Sequence, residues 1–471
     1  MACLLGLSGL LTGCAVPGHS AAPLAPLHAQ DAGLADAPGL AVSDAWWRSW
    51  NDPSLTQLIE QTLQGSPSMA EAQARVRRMQ ALSGMVDAAS LPQATLGAEF
   101  SRQRYSANGL FPPPIAGSTR SNDTLQAGVG WSPDLWGQHQ AELASAIGQV
   151  RAAQADAAMA ANALVHQVVR GHVALARLLA QRGVAEQTVQ QRLQMQQLVQ
   201  QRRQAGLDTR IEQAQADSTL ADTAAQMEGL QEQITLARHQ LAALSGQAPQ
   251  ALAHWSPRLD AMTPEALPAT VGADLLGRRP DVVAARWRVQ ASQQDIQVAR
   301  TQFYPNINLS AFAGFNALGM NHLLDAGSRQ YGVVPAIRLP LFDGGRLRAQ
   351  LSGREAEHDS AVANYNSMVL GAAREAADAI GSNQSLQRQW SEQSRALAGA
   401  EAAHAMAQQR FEAGLGNRLA VLAAESAVLT QRRLGMELQA RQLENHANLM
   451  RALGGGWHDS TLTPNTTASA R

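Results

Sequence analysis

Ala205-Gly206-Leu207-Asp208-Thr209-Arg210 returns 208 residues later as Ala413-Gly414-Leu415-Gly416-Asn417-Arg418. The same offset carries Asp134-Leu135-Trp136-Gly137 onto Phe342-Asp343-Gly344-Gly345, with Ala141 on Ala349 and Leu143 on Leu351. Upstream the offset becomes 213, and Pro67, Ala72, Val76 and Pro92 fall on Pro280, Ala285, Val289 and Pro305. The copies also close alike, Ala243-Leu244-Ser245-Gly246 against Ala452-Leu453-Gly454-Gly455. A unit this long is not a solenoid repeat of roughly 20–50 residues. It is a duplicated half, so a function carried by one half is expected twice.

Around each Gly-Leu stretch the period is helical. The first copy is helical from Gln138 to about 245 and the second from Leu347 to Leu453, with breaks at Gly206 and at Gly414-Leu415-Gly416. Alanine pairs such as Ala152-Ala153 and Ala157-Ala158 allow close helix approach, and Leu and Val at helical spacing supply a seam. Sixty residues of continuous helix would extend about 90 Å, so these helices are expected to lie lengthwise together. An earlier helical stretch, 54–90, is broken near Gly65-Ser66-Pro67, where Ser66 can cap and Pro67 can open a new helix.

Between helices the period falls to two. Ala94, Leu96, Ala98 and Phe100 alternate with Thr95, Gly97, Glu99 and Ser101, and Leu125, Ala127, Val129 and Trp131 alternate with Gln126, Gly128 and Gly130. The second copy repeats this over about 306–342, with a strand from Asn306 and a return strand expected over Tyr331–Phe342. Ten-residue alternation of this kind is the signature of a transmembrane β-strand. Nine of the eleven Phe and Tyr residues lie in 93–134 and 303–342: Phe100, Tyr105, Phe111, Phe303, Tyr304, Phe312, Phe315, Tyr331 and Phe342. With Trp131 they are expected to form an interfacial girdle.

The chain has 471 residues, a net charge of −1 and 16% charged residues, which excludes an electrostatic footprint for nucleic acid. It contains no Lys, which removes P-loop and Schiff-base chemistry. The 12 His residues are scattered without HExxH, CxxC or nucleophile-elbow context, so no enzyme, metal site or cofactor is expected.

The apolar run Leu4–Leu11 ends in Leu11-Thr12-Gly13-Cys14, the pattern of a bacterial lipoprotein signal. Residues 1–13 are read as the signal peptide and Cys14 as the lipidated residue. The missing basic n-region points to a start a few residues upstream. Cys3 leaves with the signal, so no disulfide is expected. Residues 14–45 read as a flexible tether, 46–246 as the first repeat, 247–275 as a junction, 276–457 as the second repeat and 458–471 as a disordered tail.

The expected fold is a mixed α and β membrane protein with internal duplication. Spanning strands must close into a barrel, because lipid leaves unpaired backbone groups unsatisfied. Single-chain barrels need at least eight strands or so. Four strands per chain therefore demand an oligomer.

Asp274-Leu275-Leu276-Gly277-Arg278-Arg279-Pro280-Asp281-Val282-Val283-Ala284-Ala285 resembles a hallmark of the TolC-like outer-membrane efflux proteins. So do Ala299-Arg300-Thr301-Gln302-Phe303-Tyr304-Pro305-Asn306-Ile307, Leu339-Pro340-Leu341-Phe342-Asp343-Gly344-Gly345 and Asp134-Leu135-Trp136-Gly137. With the lipoprotein signal, the resemblance is to the NodT or OprM-like branch. It covers residues 46–457 and implies a homotrimer anchored in outer-membrane lipid: a twelve-stranded barrel, a periplasmic α-helical barrel and a belt. It also implies a passive conduit for small molecules, partnered by a periplasmic adaptor and an inner-membrane pump. The RND pump type is preferred over MFS and ABC types.

Under this resemblance Gly206, Leu207 and Arg210, with Gly414, Leu415 and Arg418, mark the periplasmic hairpin tips that meet the adaptor. Gly137, Gly344 and Gly345 mark the turns from barrel to helix. Family Asp positions after the second tip are occupied by Ala420 and Ala423, so no Asp ring is expected there. Glu212 aligns with an acidic latch residue, and Arg210, Arg418, Asn417 and Phe411 are its candidate partners in a gate. Arg278, Arg279 and Asp281 are read as structural, Asp281 suiting a helix start. The competing readings are a lipid-anchored coiled-coil scaffold without a pore, a type I secretion channel, and a hydrolytic lipoprotein that would lack a catalytic constellation.

Overall fold

The computed structural model describes residues 23–34, 42–264 and 275–459. The signal segment, Cys14 and residues 460–471 of the expected tail lie outside the described residues. Helices α1 (Pro53–Gly65) and α2 (Pro67–Ala89) lead into β1 (Gln93–Arg104) and β2 (Thr119–Trp131). Helices α3 (Gln138–Gln204) and α4 (Arg210–Leu244) follow. The second copy repeats the order as α5 (Leu275–Arg278), α6 (Pro280–Thr301), β3 (Asn306–Ala317), β4 (Arg329–Arg338), α7 (Arg346–Glu412) and α8 (Arg418–Ala452). The duplication is kept to the residue: α3 and α7 have 67 residues each, and α4 and α8 have 35.

The chain forms two compact units, and the division falls inside α2, α3, α6 and α7. The first unit, 76–153 with 285–365, holds the sheet and the adjoining parts of those helices. All four strands form one antiparallel sheet in the order β1-β2-β3-β4. Beside it Ile296, Ala299 and Leu351 form a buried cluster against which Phe303 packs. Strand β4 stops at Arg338 rather than running to Phe342. Pro340 has no N–H for a ladder and biases Leu339 before it toward a turn or extended exit. Asp343 starts α7 by accepting from the backbone N–H groups of Gly345 and Leu347 at 3.0 and 2.8 Å. Gly137, Gly344 and Gly345 adopt φ of +76°, +68° and +91° at the strand-to-helix turns.

The second unit, 27–75 with 154–284 and the chain from 366, holds the largest fully buried side chains among the described residues. Trp50, Leu55, Leu58 and Ile59 are fully buried with Leu175, Ile234, Leu241, Leu443 and Leu449. Asp52 caps α1 by accepting from the Ser54 and Leu55 N–H groups, and Pro53 occupies the first helical position. Two buried histidines tie the N-terminal segment and the junction to this core. Trp50 Nε1 donates to His446 Nδ1, and Trp255 Nε1 donates to His172 Nδ1, both at 3.3 Å. His172 Nε2 in turn sits 2.8 Å from an Asp52 carboxylate oxygen.

Arg279 is buried and bonded on every side, to Asp281, Glu375 and the Ala452 carbonyl at the end of α8. The expected tether is partly held. The Leu24 N–H donates to Asp359 Oδ1 at 3.0 Å in the first unit, and the Leu27 N–H donates to Asn366 Oδ1 at 2.8 Å in the second. No helix among the described residues is long and apolar enough to cross a membrane.

Candidate functional site

The sheet is one candidate site and the two helix–helix turns are the other. Register sorts the sheet side chains into two surfaces. One carries Ala94, Leu96, Ala98 and Phe100 of β1 and Leu125, Ala127, Val129 and Trp131 of β2. It continues through Ile307, Leu309, Ala311, Ala313 and Phe315 of β3 to Tyr331, Val333, Pro335 and Ile337 of β4. The other surface carries Thr95, Gly97, Glu99, Gln126, Thr124, Asn122, Asn308, Ser310, Asn316 and Gln330. On it Gln330 Nε2 donates to Gln126 Oε1 at 3.0 Å, and Asn316 Nδ2 donates to Asn122 Oδ1 and Thr124 Oγ1 at 3.1 and 2.8 Å. An apolar surface left bare in the single chain, with Leu96 77% and Tyr331 86% exposed, marks an interaction with lipid or protein. Among the described residues, the outer strands β1 and β4 each leave one edge unpaired.

The expected girdle splits under this geometry. Phe100, Trp131, Phe315 and Tyr331 share the apolar surface. Phe312 does not: it is out of phase with Ala311 and Ala313 and lies on the polar surface, its ring covering Gly332. Phe303 packs into the helix cluster. Tyr105 and Phe111 meet edge to face at 5.1 Å beyond the outer end of β1. At the inner end Tyr304 stacks on Trp136 at 5.2 Å, and Trp136 Nε1 donates to the Pro305 carbonyl at 2.7 Å. Phe342 lies past β4, 93% exposed.

The two turns share one backbone design and differ in side chains. In the first, Gly206 adopts φ +74°, which lets the Leu207 N–H return to the Arg202 carbonyl at 2.8 Å. In the second, Gly414 adopts φ +73° and the Leu415 N–H returns to the Arg410 carbonyl at 2.8 Å. Leu207 and Leu415 are left exposed, 67% and 73%. The first turn is then locked by a pair absent from the sequence reading: Arg202 Nε and an outer guanidinium nitrogen both reach Asp208 at 2.9 Å. A spacing of six across a turn glycine was the available signal. This bidentate pairing holds the Asp208 carboxyl below its usual range.

Glu212 was expected to pair with an Arg across the tips. Among the described residues it forms no ion pair. Its carboxylate closes a capping box at α4, accepting from the Thr209 N–H at 2.7 Å and from the Thr209 hydroxyl, while Thr209 Oγ1 accepts from the Ile211 N–H at 3.0 Å. The Thr209 bonds hold the Glu212 carboxyl below its usual range. The second turn has a simpler cap, Asn417 Oδ1 accepting from the Ala420 N–H at 2.8 Å. Arg418 lies over the Phe411 ring at 5.9 Å and donates to Gln194 Oε1 on α3 at 3.1 Å. Arg418 and Phe411 are thus brought together. Arg210 is exposed and joins neither of them.

Residues 58–247 and 271–455 match the outer membrane efflux protein family. The chain is 36% identical to the fusaric acid resistance protein FusA of Burkholderia cepacia, over 99% of this chain and 90% of that one. It is 32% identical to the multidrug resistance outer membrane protein MdtP of Shigella flexneri, over 96% of each. The outer membrane protein VceC of Vibrio cholerae superposes with a TM-score of 0.80 at 34% identity, covering 88% of this chain and 99% of VceC. The outer-membrane channel OprN superposes with a TM-score of 0.82 at 30% identity, covering 94% of this chain and 99% of OprN.

Proposed function

This chain belongs to the outer membrane efflux protein family, and from that premise we propose how its parts make a conduit. It is an outer-membrane efflux channel of the TolC-like fold. Three copies close their sheets into one twelve-stranded barrel, with the apolar surface toward lipid and the amide-rich surface toward the lumen. The observation that carries this reading is the open-edged sheet with one face apolar from Ala94 to Phe100 on β1 and from Tyr331 to Ile337 on β4. Lipid leaves no water for the β1 and β4 edges, so each edge pairs with the complementary edge of a sister chain. A coiled-coil scaffold gives no account of that sheet.

In this reading the channel is passive, and no residue cluster is asked to do chemistry. A periplasmic adaptor meets the exposed Leu207 and Leu415 tips, and an inner-membrane pump of the RND type supplies the energy for exporting small toxic compounds. Cys14, following Leu11-Thr12-Gly13, carries the lipid anchor. Arg210, Glu212, Phe411, Asn417 and Arg418, joined by Arg202 and Asp208, set the closed entrance. Such solvent-exposed contacts are individually weak, so adaptor docking can outweigh three symmetric sets of them.

The test is to express the chain with an adaptor and pump in cells lacking their own channel. A heat-modifiable trimer and restored export of a fluorescent dye are expected. A water-soluble monomer, with 93–131 open to protease in intact cells, ends this reading.

A further inference from the structure

The apolar surface of the sheet ends in arginine. On β1 the alternation through Ala94, Leu96, Ala98 and Phe100 continues to Arg102 and Arg104. On β4 the same surface begins with Arg329, opposite Phe315. All three are exposed, and none forms an ion pair with another described residue. Two acidic groups lie at this end on or above that surface. Asp123 is buried opposite Phe100, and Asp325, in the β3–β4 connection, is met by His322 Nδ1 at 2.9 Å. Glu99 belongs to the polar surface, as does Arg120, whose Nε donates to Ser118 Oγ. The β1–β2 connection, 105–118, has no charged side chain.

β1 and β4 are the two open edges. Closing the ring sets the β4 edge of one subunit, with Arg329 at its outer end, beside the β1 edge of the next, with Arg102 and Arg104 at its own. Resting on the barrel reading above, we propose that each seam binds the phosphate groups of a phosphorylated glycolipid in the outer leaflet. Guanidinium forks match phosphate oxygens two at a time, and a compact ammonium would not. The apolar side chains below, Phe100, Leu96, Tyr331 and Val333, receive the acyl chains. Charge at the rim of a barrel is tolerated at little cost, whereas the same residues at mid-height would not be.

Native mass spectrometry of the purified trimer, titrated with lipopolysaccharide, with its phosphatase-treated form and with inorganic phosphate, tests this. Removing the lipid phosphates is expected to weaken wild-type binding about tenfold. The triple variant R102Q/R104Q/R329Q should lose a similar factor for the intact lipid and none for the treated one. The single variant Arg329→Gln, on the other side of the seam, should lose a few-fold. Equal wild-type binding of intact and treated lipid, or unchanged binding by the triple variant, overturns the site. Inorganic phosphate binding as tightly as the lipid would overturn the lipid as its occupant. All three proteins are compared as heat-modifiable trimers with equal dye export. Loss of the wild-type trimer would bring down the barrel reading, and the seam with it.

Discussion

His446 accepts the Trp50 indole N–H deep in the core, and it can do so only while Nδ1 is unprotonated. Burial pushes its pKa down from 6.5 to about 4, with Trp46 and Trp50 as its ring neighbours. A group whose folded pKa lies below its unfolded value costs stability as the unfolded chain takes up the proton. Stability is therefore complete above about pH 6.5 and is lost as pH falls from there toward 4, by about 3 kcal/mol per chain. Asp52, held low by His172, Ser54 and Leu55 against the opposing effect of burial, loses its contribution only below the usual carboxylate range, so the two windows separate. Unfolding of the purified protein between pH 7.5 and 4.5 should show the fall, and His446→Gln, which still offers an acceptor, should flatten it. An unchanged slope in that variant would assign the pH dependence elsewhere. The tryptophans at 46, 47 and 50 mark the start of the folded chain in the sequence, but nothing local reveals a partner on α8. That contact is a property of tertiary packing.

Elements were legible wherever a single period ruled them. Strand alternation found β1, β2 and β3, and glycine found both helix turns. Aromatic type alone does not say which surface a ring occupies, because phase decides it: Leu309, Ala311, Ala313 and Phe315 share a surface, and Phe312 falls between them. Phase gives a sharp test. Ala127 and Gln126 are neighbours on β2 facing opposite surfaces at mid-strand. Ala127→Arg should destabilise the inserted barrel by about 2–4 kcal/mol, whereas Gln126→Arg should leave it near wild type. Urea titration of the trimer in bilayers reads the difference: a larger loss for Gln126→Arg would mean the surfaces are assigned backwards, and equal effects that neither surface alone faces lipid. At the turns the sequence shows the shared glycine plainly and the Arg202–Asp208 lock only faintly, because a pair that spans the turn glycine follows no helical period. Glu212→Gln should increase hydrogen exchange over 210–214 by loosening the capping box, and Asp208→Asn should free the turn itself. If these contacts hold the entrance closed, both variants raise conductance in planar bilayers. A conductance unchanged in both removes the first turn from the gate.

The whole molecule is decided by counting. Two copies of a two-stranded unit give four strands, and the copies meet in the middle, β2 beside β3, so β1 and β4 are left as the outer edges. The need for sister chains could be foreseen from the duplication and the physics of lipid, since a four-stranded ring cannot close on itself and an open edge cannot stand in hydrocarbon. Which strands would become the edges could not, because sequence order does not dictate neighbour order. The edge assignment predicts a crosslink. A cysteine at Gly97 on β1, combined in turn with one at Gln330, Gly332, Val334 or Ala336 on β4, places thiols on the polar surface of both edges. Within one chain β2 and β3 stand between them, two strand spacings of roughly 4.8 Å too many for a disulfide, which needs Cα atoms within about 7 Å. Between chains the edges are neighbours, and one of the four registers must bring the thiols within reach. Oxidation should therefore give covalent dimers and trimers on denaturing gels for one pairing and monomers for the single-cysteine controls. A disulfide confined to single chains would show the sheet closing on itself. Monomers throughout would leave the edges unsealed, and no barrel could then be built from this chain.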